Sequence, residues 1–296
     1  MLWLSAALSS IAFSVATTVR GELDRASTFA EGTRTHYLAT GAIDRAILHI
    51  LWGAPYWEGW MPEFRFSFPG GEAVVEIIPE AAKLGLNHAP PEMLAALLVA
   101  LGEPEPRARE IAEAIVDWRT PAPGGFSPFD RHYLSLVPSF RPRHASFEQE
   151  EELLLVKGVT TDLFYGGYRP GPDNRLLPIG GLRDCVSVFS GAGPFDMNST
   201  PPALLAAIGV PAGVVDRIVA ARPARTSAEF QALREIAGPA AARLGGPAGT
   251  IYTLRATAWL RLPDGKPADL RRTVSATVKL WRGENGFHYQ TLRWRE

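Results

Sequence analysis

Asn87-His88-Ala89-Pro90-Pro91-Glu92-Met93-Leu94-Ala95-Ala96-Leu97 is written a second time as Asn198-Ser199-Thr200-Pro201-Pro202-Ala203-Leu204-Leu205-Ala206-Ala207-Ile208. Six of the eleven positions are identical when the two copies are aligned without a gap. Each copy is followed by a Gly/Pro break and a second helical stretch ending in arginine, Ile111 to Arg119 and Val214 to Arg222. A small helical module has been duplicated inside a longer chain. The asparagines Asn87 and Asn198 read as helix N-caps. The prolines that follow, Pro90, Pro91, Pro201 and Pro202, suit helix starts, where a missing N–H is tolerated.

The sequence around this duplicated region, residues 81–246, alternates on one face. Phe64, Phe66 and Phe68, a Pro69-Gly70-Gly71 turn, then Ala73, Val75 and Ile77 predict a hairpin. Tyr252, Leu254, Ala256, Ala258, Leu260 and Leu262, followed by Val274, Ala276, Val278 and Leu280, predict a C-terminal meander with turns at Pro263-Asp264-Gly265 and Asn285-Gly286. One-faced alternation implies an antiparallel sheet that needs a cover. No proline precedes Pro55, and Ala39, Ala42, Ile43, Ala46, Ile47, Ile50 and Leu51 recur at helical spacing. One N-terminal helix reaching about Trp52, roughly 75 Å at 1.5 Å per residue, supplies that cover.

The stretch from Met1 to Val19 carries no charge, and Leu4, Leu8, Ile11, Phe13 and Val15 make it apolar. This is a membrane-span candidate at the short limit. A cleaved signal and a buried core helix are the rival readings, and no basic region precedes the apolar run. Net charge is −1, so there is no global basic field to attract nucleic acid. A single cysteine, Cys185, excludes an intrachain disulfide and a thiolate metal cluster.

Catalytic motifs are missing. The six histidines form no zinc-type pair, and there is no nucleophile elbow, phosphate-cradling loop or dinucleotide fingerprint. No catalytic or cofactor-binding residue is assigned. Asp130-Arg131-His132 reads as a surface loop cluster, and Asp117-Trp118-Arg119 as a packed tryptophan between charges. Glu148 to Glu152 reads as the acidic first turn of a helix at Leu153. Tyr165 to Gly181 reads as a mobile loop. The two helical units suggest helix-hairpin-helix modules, which hold DNA phosphates on backbone N–H groups. Here Pro211 removes one such donor, while Glu103 and Glu105 would repel phosphate. Asp173-Asn174 and Asp196-Met197-Asn198 offer oxygens to calcium but match no loop signature, so calcium stays an option without assigned ligands.

The order of motifs resembles the minor pseudopilin K family of type II secretion systems. It is carried by Leu2-Trp3-Leu4, Tyr37-Leu38-Ala39-x-Gly41-Ala42, Asn87 to Leu97 and Ala114-Ile115-Val116-Asp117-Trp118-Arg119. Glu152-Leu153-x-x-Val156-x-Gly158-Val159 and Phe195-x-Met197-Asn198-x-x-Pro201-Pro202 complete it. The resemblance implies an α+β fold: a pilin-like long helix on an antiparallel sheet, with two inserted SAM-like helical domains. The expected division is 1–80 (helix and first hairpin), 81–182 and 183–246 (the inserted domains) and 247–296 (closing strands). It also implies a single inner-membrane anchor, a periplasmic head, and a non-enzymatic role capping the pseudopilus tip with minor pseudopilins I and J, other pseudopilins and secreted substrate being further contacts. No cofactor is required, although some members of the family bind calcium.

Such proteins begin with a basic leader, so a start at Met1 inside the helix implies a misassigned start or a truncated chain. Leu4, Leu8, Ile11, Phe13 and Val15 are then the expected contact stripe, against partner helices or lipid. The alternatives are a membrane-anchored DNA-binding protein, and a periplasmic enzyme or binding module using the aromatic loop Tyr165 to Tyr168.

Overall fold

A computed structural model of the chain describes residues 2–53, 57, 61–170, 175–246, 249–284 and 286–296. They form two compact units, Met1–Ile77 with Thr253–Glu296, and Ile78–Tyr252.

The first unit is the helix and sheet that the alternation predicts. Helix α1 runs Leu2–Trp52, followed by strands β1 (Glu63–Phe68) and β2 (Gly71–Pro79). The chain returns as β3 (Ile251–Arg261), β4 (Pro267–Gly283) and β5 (Gly286–Arg295). The five strands lie in the order in which they are numbered. Thr253 bonds Thr277 at 2.8 Å and Thr257 bonds Thr273 at 2.9 Å, the crossing register of antiparallel neighbours. Arg255 with Glu76 (3.4 Å) and Arg261 with Glu72 (2.8 Å) link β3 to β2 in the same sense.

The inward residues Phe64, Phe66, Ala73, Val75, Leu254, Ala256, Val274, Ala276 and Val278 are buried. Helix α1 covers this face, chiefly over β4, with Thr35, Ala39, Ala42, Ile43, Ala46 and Ile47. Alanine at three of those positions lets helix and sheet approach closely. The His49 ring stands edge-on to Phe64 and Phe66 at 5.3 and 5.2 Å. The Asn285 half of the expected Asn-Gly turn lies outside the described residues.

In the second unit, the first repeat forms α2 (Pro91–Ala100) and α3 (Glu105–Arg119), and the second forms α4 (Pro202–Ala207) and α5 (Ala212–Ala220). A further helix, α6 (Ser227–Ala237), opens on the Thr226/Glu229 capping box that its sequence announces. One hydrophobic cluster runs through both repeats, from Leu94, Leu97, Ile111, Ile115 and Trp118 to Phe195, Leu204, Leu205 and Ile218.

The repeat is longer in space than in sequence. Leu84–Gly85 pairs in parallel with Val186–Ser187, and at the equivalent place in the second copy Phe195–Asp196 pairs in parallel with Leu244–Gly245. From each first strand the chain makes the same turn. His88 and Ala89 donate to the Gly85 carbonyl at 3.1 and 2.8 Å, and Ser199 and Thr200 to that of Asp196 at 3.2 and 2.9 Å. The strand pair of the first repeat therefore closes at Ser187.

Two local expectations are corrected and one, the acidic helical turn, is refined. Asn87 and Asn198 are not N-caps; Pro90 and Pro201 hold that position in extended conformation, with Pro91 and Pro202 opening the helices. Placed three residues upstream, the asparagine amides reach across to another segment instead. The acidic run leads into a 3₁₀ helix, Glu150–Leu155, in which Glu152 accepts from the Glu148 and Gln149 backbone N–H groups. Tyr165 to Gly181 is not one loop: Gly167–Pro170 pairs antiparallel with Leu176–Ile179.

Candidate functional site

Three arrangements carry the candidate functional residues: the outer half of α1, a polar node beside α3, and the asparagine clasps of the repeats.

The second half of α1 is buried on the sheet and the first half is not. From Trp3 (90% exposed) to Phe29 (78% exposed) its large apolar side chains face outward. At about 100° per residue, Leu4, Leu8, Ile11 and Val15 fall on one face of the helix. Phe13 does not join that stripe, since nine residues from Leu4 it points to the opposite side. The helix is thus apolar on two faces there, which suits burial in a surrounding medium or among several partners.

Threonine hydroxyls along α1 are satisfied internally. Thr17 donates to the Ser14 carbonyl at 2.8 Å and Thr18 to the same carbonyl at 2.9 Å. Thr28, Thr33, Thr35 and Thr40 each donate to the carbonyl four residues back. Among the described residues, no helix is long and apolar enough to cross a membrane. The interspersed Ser and Thr, together with Arg20, Glu22 and Asp24, hold the average hydropathy of α1 down.

Beside α3, Asp117, Asp130 and His144 each bring one ligand atom to within 4.8 Å of the others, the one such trio among the described residues. Asp130 is buried, contrary to its reading as part of a surface cluster. It is fully engaged: Ser127 donates from its N–H (3.1 Å) and its hydroxyl (3.0 Å), and His144 Nε2 lies 2.9 Å from Oδ1. His144 Nδ1 lies 3.2 Å from the Asp117 carbonyl, and the Ser127 hydroxyl, with one proton to share between the two acids, lies 2.9 Å from the Asp117 carboxylate.

An imidazole nitrogen and a carboxylate occupied in this way do not fit calcium, which takes six to eight oxygens. The second suggested calcium donor set is engaged as well. An Asp196 carboxylate oxygen accepts the Asn198 N–H at 3.2 Å, and burial raises the pKa of this acid. Asp173 and Asn174 lie outside the described residues.

The node is an ionic latch between the end of α3 and the segment after it. Burial disfavours the charge on His144, but its bonds to Asp130 and Asp117 outweigh this and raise its pKa. Burial likewise opposes the Asp130 charge, and the bonds from His144 and Ser127 outweigh it and lower that pKa. A raised histidine stabilises the fold fully below its unfolded value near 6.5, and that stabilisation is lost as pH rises through the folded value. A lowered aspartate stabilises above about 4, and its contribution is lost as pH falls. The contribution of this latch to stability is therefore expected to be largest between about pH 4 and 6.5. His144→Ala should lower it by about 1.5–3 kcal/mol at pH 5.5 and flatten the decline on the alkaline side. Urea melts at several pH values check this; an unchanged alkaline decline would exclude the latch.

The repeated asparagines form matching clasps. Asn87 Nδ2 donates to the Phe147 carbonyl at 3.0 Å, and the Phe147 N–H donates back to Oδ1 at 2.8 Å. Asn198 does the same with Ala224, at 3.1 and 2.9 Å. Arg119 adds donations to the Leu86 carbonyl and, at 2.5 Å, to that of Ala89. In the second repeat Arg222 is mostly buried, and its Nε and Nη2 have no hydrogen-bond partner among the described residues. Burial brings its pKa down to about 10.

The sequence singled out the asparagines without showing their partners, because Phe147 lies 60 residues away and Ala224 lies 26 away. The helical hairpins hold no phosphate cradle: Glu103 pairs with Arg107 at 3.1 Å, and Pro211 is the N-cap of α5. Cys185 is buried, and burial pushes its thiol up to about 12, so it is no nucleophile at neutral pH. The aromatic residues Tyr165 and Tyr168 stand exposed on and beside the Gly167–Pro170 strand.

Residues 79–166 match the family model of type II secretion system protein K, described as its first domain. No curated protein sequence matches the chain at a significant level. Among solved structures, the chain is similar in fold to one from the crystal structure of the GspK-GspI-GspJ complex of the enterotoxigenic Escherichia coli type 2 secretion system. The TM-score is 0.59 at 16% identity, covering 90% of this chain and 99% of that one. The matched stretch contains the whole first repeat helix pair, the Asn87 clasp and the latch, and it is over this domain that the chain is similar to type II secretion system protein K.

Proposed function

We propose that this chain is a minor pseudopilin that initiates and caps the tip of a type II secretion pseudopilus, together with minor pseudopilins I and J. The observation that carries this reading is a protein K domain on a chain whose N-terminal helix leaves half its length apolar and uncovered. A rod of this kind gains stability by packing against other rods or in lipid. The outer half of α1, too dilute in apolar residues to cross a bilayer by itself, is read as the segment that anchors the chain at the inner membrane beside partner rods, with the rest of the chain periplasmic. The internally bonded threonines lower the penalty for placing that segment in an apolar medium. In the tip, the whole unit from Ile78 to Tyr252 supplies the bulk that stops a further subunit from adding. The role calls for no catalysis and no cofactor.

The test is co-expression of the full chain with I and J pseudopilins, extraction in mild detergent, and affinity capture of any one of them. Recovery of a stable three-part complex is expected. Leu8→Asp combined with Ile11→Asp should abolish both membrane retention and the complex, since each aspartate in the middle of an apolar helix costs about 2.5–3.5 kcal/mol on insertion. Capture of the wild-type chain without I or J would overturn the reading.

A further inference from the structure

The duplication creates a second surface, unrelated to the α1 stripe. Ala95-Ala96 and Ala206-Ala207 are the same pair at equivalent positions of the two repeats, and α2 and α4, which carry them, pack side by side. All four alanines line one open groove of about 770 Å³, completed by residues of α3. Val99, 44% exposed, stands on its floor.

The rim is acidic. Glu92, Glu105 and Glu113 border the groove with Arg109 as the sole cation among its lining residues, and Arg109 is already bound to Glu105. Glu92 and Glu113 are exposed and form no ion pair among the described residues. An alanine floor admits a helix at the short end of the usual 8–10 Å interaxial range. Two uncompensated carboxylates then select the residues that flank such a helix.

We propose that this groove docks an amphipathic helix of a partner protein whose apolar stripe is flanked by lysine or arginine. Alanine pairs contributed by both repeats form the seat, and Glu92 and Glu113 meet the basic flanks. The proposal is independent of the tip assignment, because no residue of α1 takes part.

The probes are two fluorescent peptides of about 18 residues, long enough to form a helix on binding. They share a Leu/Ala stripe, one with lysine flanks and one with glutamate flanks. Binding to the full chain in micelles is read by anisotropy, with Ala206→Trp on the same micelles as the blank. Ala206 is exposed, so the indole fills the groove without entering the core. The lysine peptide is expected to bind at least tenfold more tightly than its twin, and this preference should shrink with added salt. Glu92→Lys with Glu113→Lys should reverse the preference while the circular dichroism stays unchanged. Equal binding of both peptides, no saturable binding of either, or full binding to Ala206→Trp would each overturn the proposal.

Discussion

Asn87→Ala is expected to destabilise the second unit by about 2–4 kcal/mol, with Asn198→Ala close behind, since an unsatisfied buried polar group costs well above the net worth of an ordinary hydrogen bond. Each substitution removes two hydrogen bonds and leaves a backbone N–H and a carbonyl, at Phe147 or at Ala224, without their partner. Phe147 is itself buried and stacks on Trp118 at 6.3 Å between centroids, so releasing its backbone loosens the aromatic core that closes the first repeat. Asn87→Asp is the informative companion, because a carboxylate can still accept from the Phe147 N–H but faces the carbonyl without a donor. It should lie between wild type and alanine at low pH, where the acid is protonated, and fall towards or below alanine at neutral pH. Urea midpoints for the three chains test this. A loss for Asn87→Ala of less than about 0.5 kcal/mol, the range of ordinary surface substitutions, would show that the clasp contributes only a surface bond.

Gly85→Ala is expected to be as damaging, for a steric reason. A β-carbon at that position would stand 2.1 Å from the Ser190 carbonyl oxygen and 2.7 Å from that of Gly191. These are backbone atoms, and the Gly85 N–H already donates to the Gly191 carbonyl at 2.7 Å. The strand pair Leu84–Gly85 with Val186–Ser187 can make room only by separating. The loss should reach about 3 kcal/mol, the upper end for overpacking. Gly124→Ala is the matched control: nothing lies within 4 Å of the place its β-carbon would take, so its change should stay within about 0.5 kcal/mol. Thermal melts of both chains decide the matter, and equal behaviour would mean that the bridge at Gly85 opens freely.

Much of the first unit could be read from the sequence because its elements are long and periodic. The alternation at Phe64 and Phe66, and at Val274, Ala276 and Val278, places the same residues inward in the structure. The spacing of Ala39, Ala42, Ile43, Ala46 and Ile47 likewise gives the buried face of α1. The second unit is made of short elements held by distant partners, and that information is not local. The parallel bridges at Leu84–Gly85 and Phe195–Asp196 are very short and leave no periodicity to detect. The asparagine was recognisable as special, but its side chain has several ways to bond. Only the path of the chain 60 residues later shows which one is used. Asp130 looked like a loop acid because its neighbours are polar or turn-forming, whereas burial depends on His144 folding over it. The apolar stripe was legible as composition, and helical geometry then moved Phe13 to the other side.

The threonines of α1 have a mechanical consequence. A hydroxyl that shares the carbonyl of the preceding turn competes with the amide for that oxygen and tends to bend the helix locally. Such sites recur at Thr17, Thr18, Thr28, Thr33, Thr35 and Thr40, so compliance is distributed along the shaft rather than concentrated in one hinge. A shaft built this way can follow the curvature of whatever bundle it joins, each turn yielding a little while its hydroxyls keep their partners.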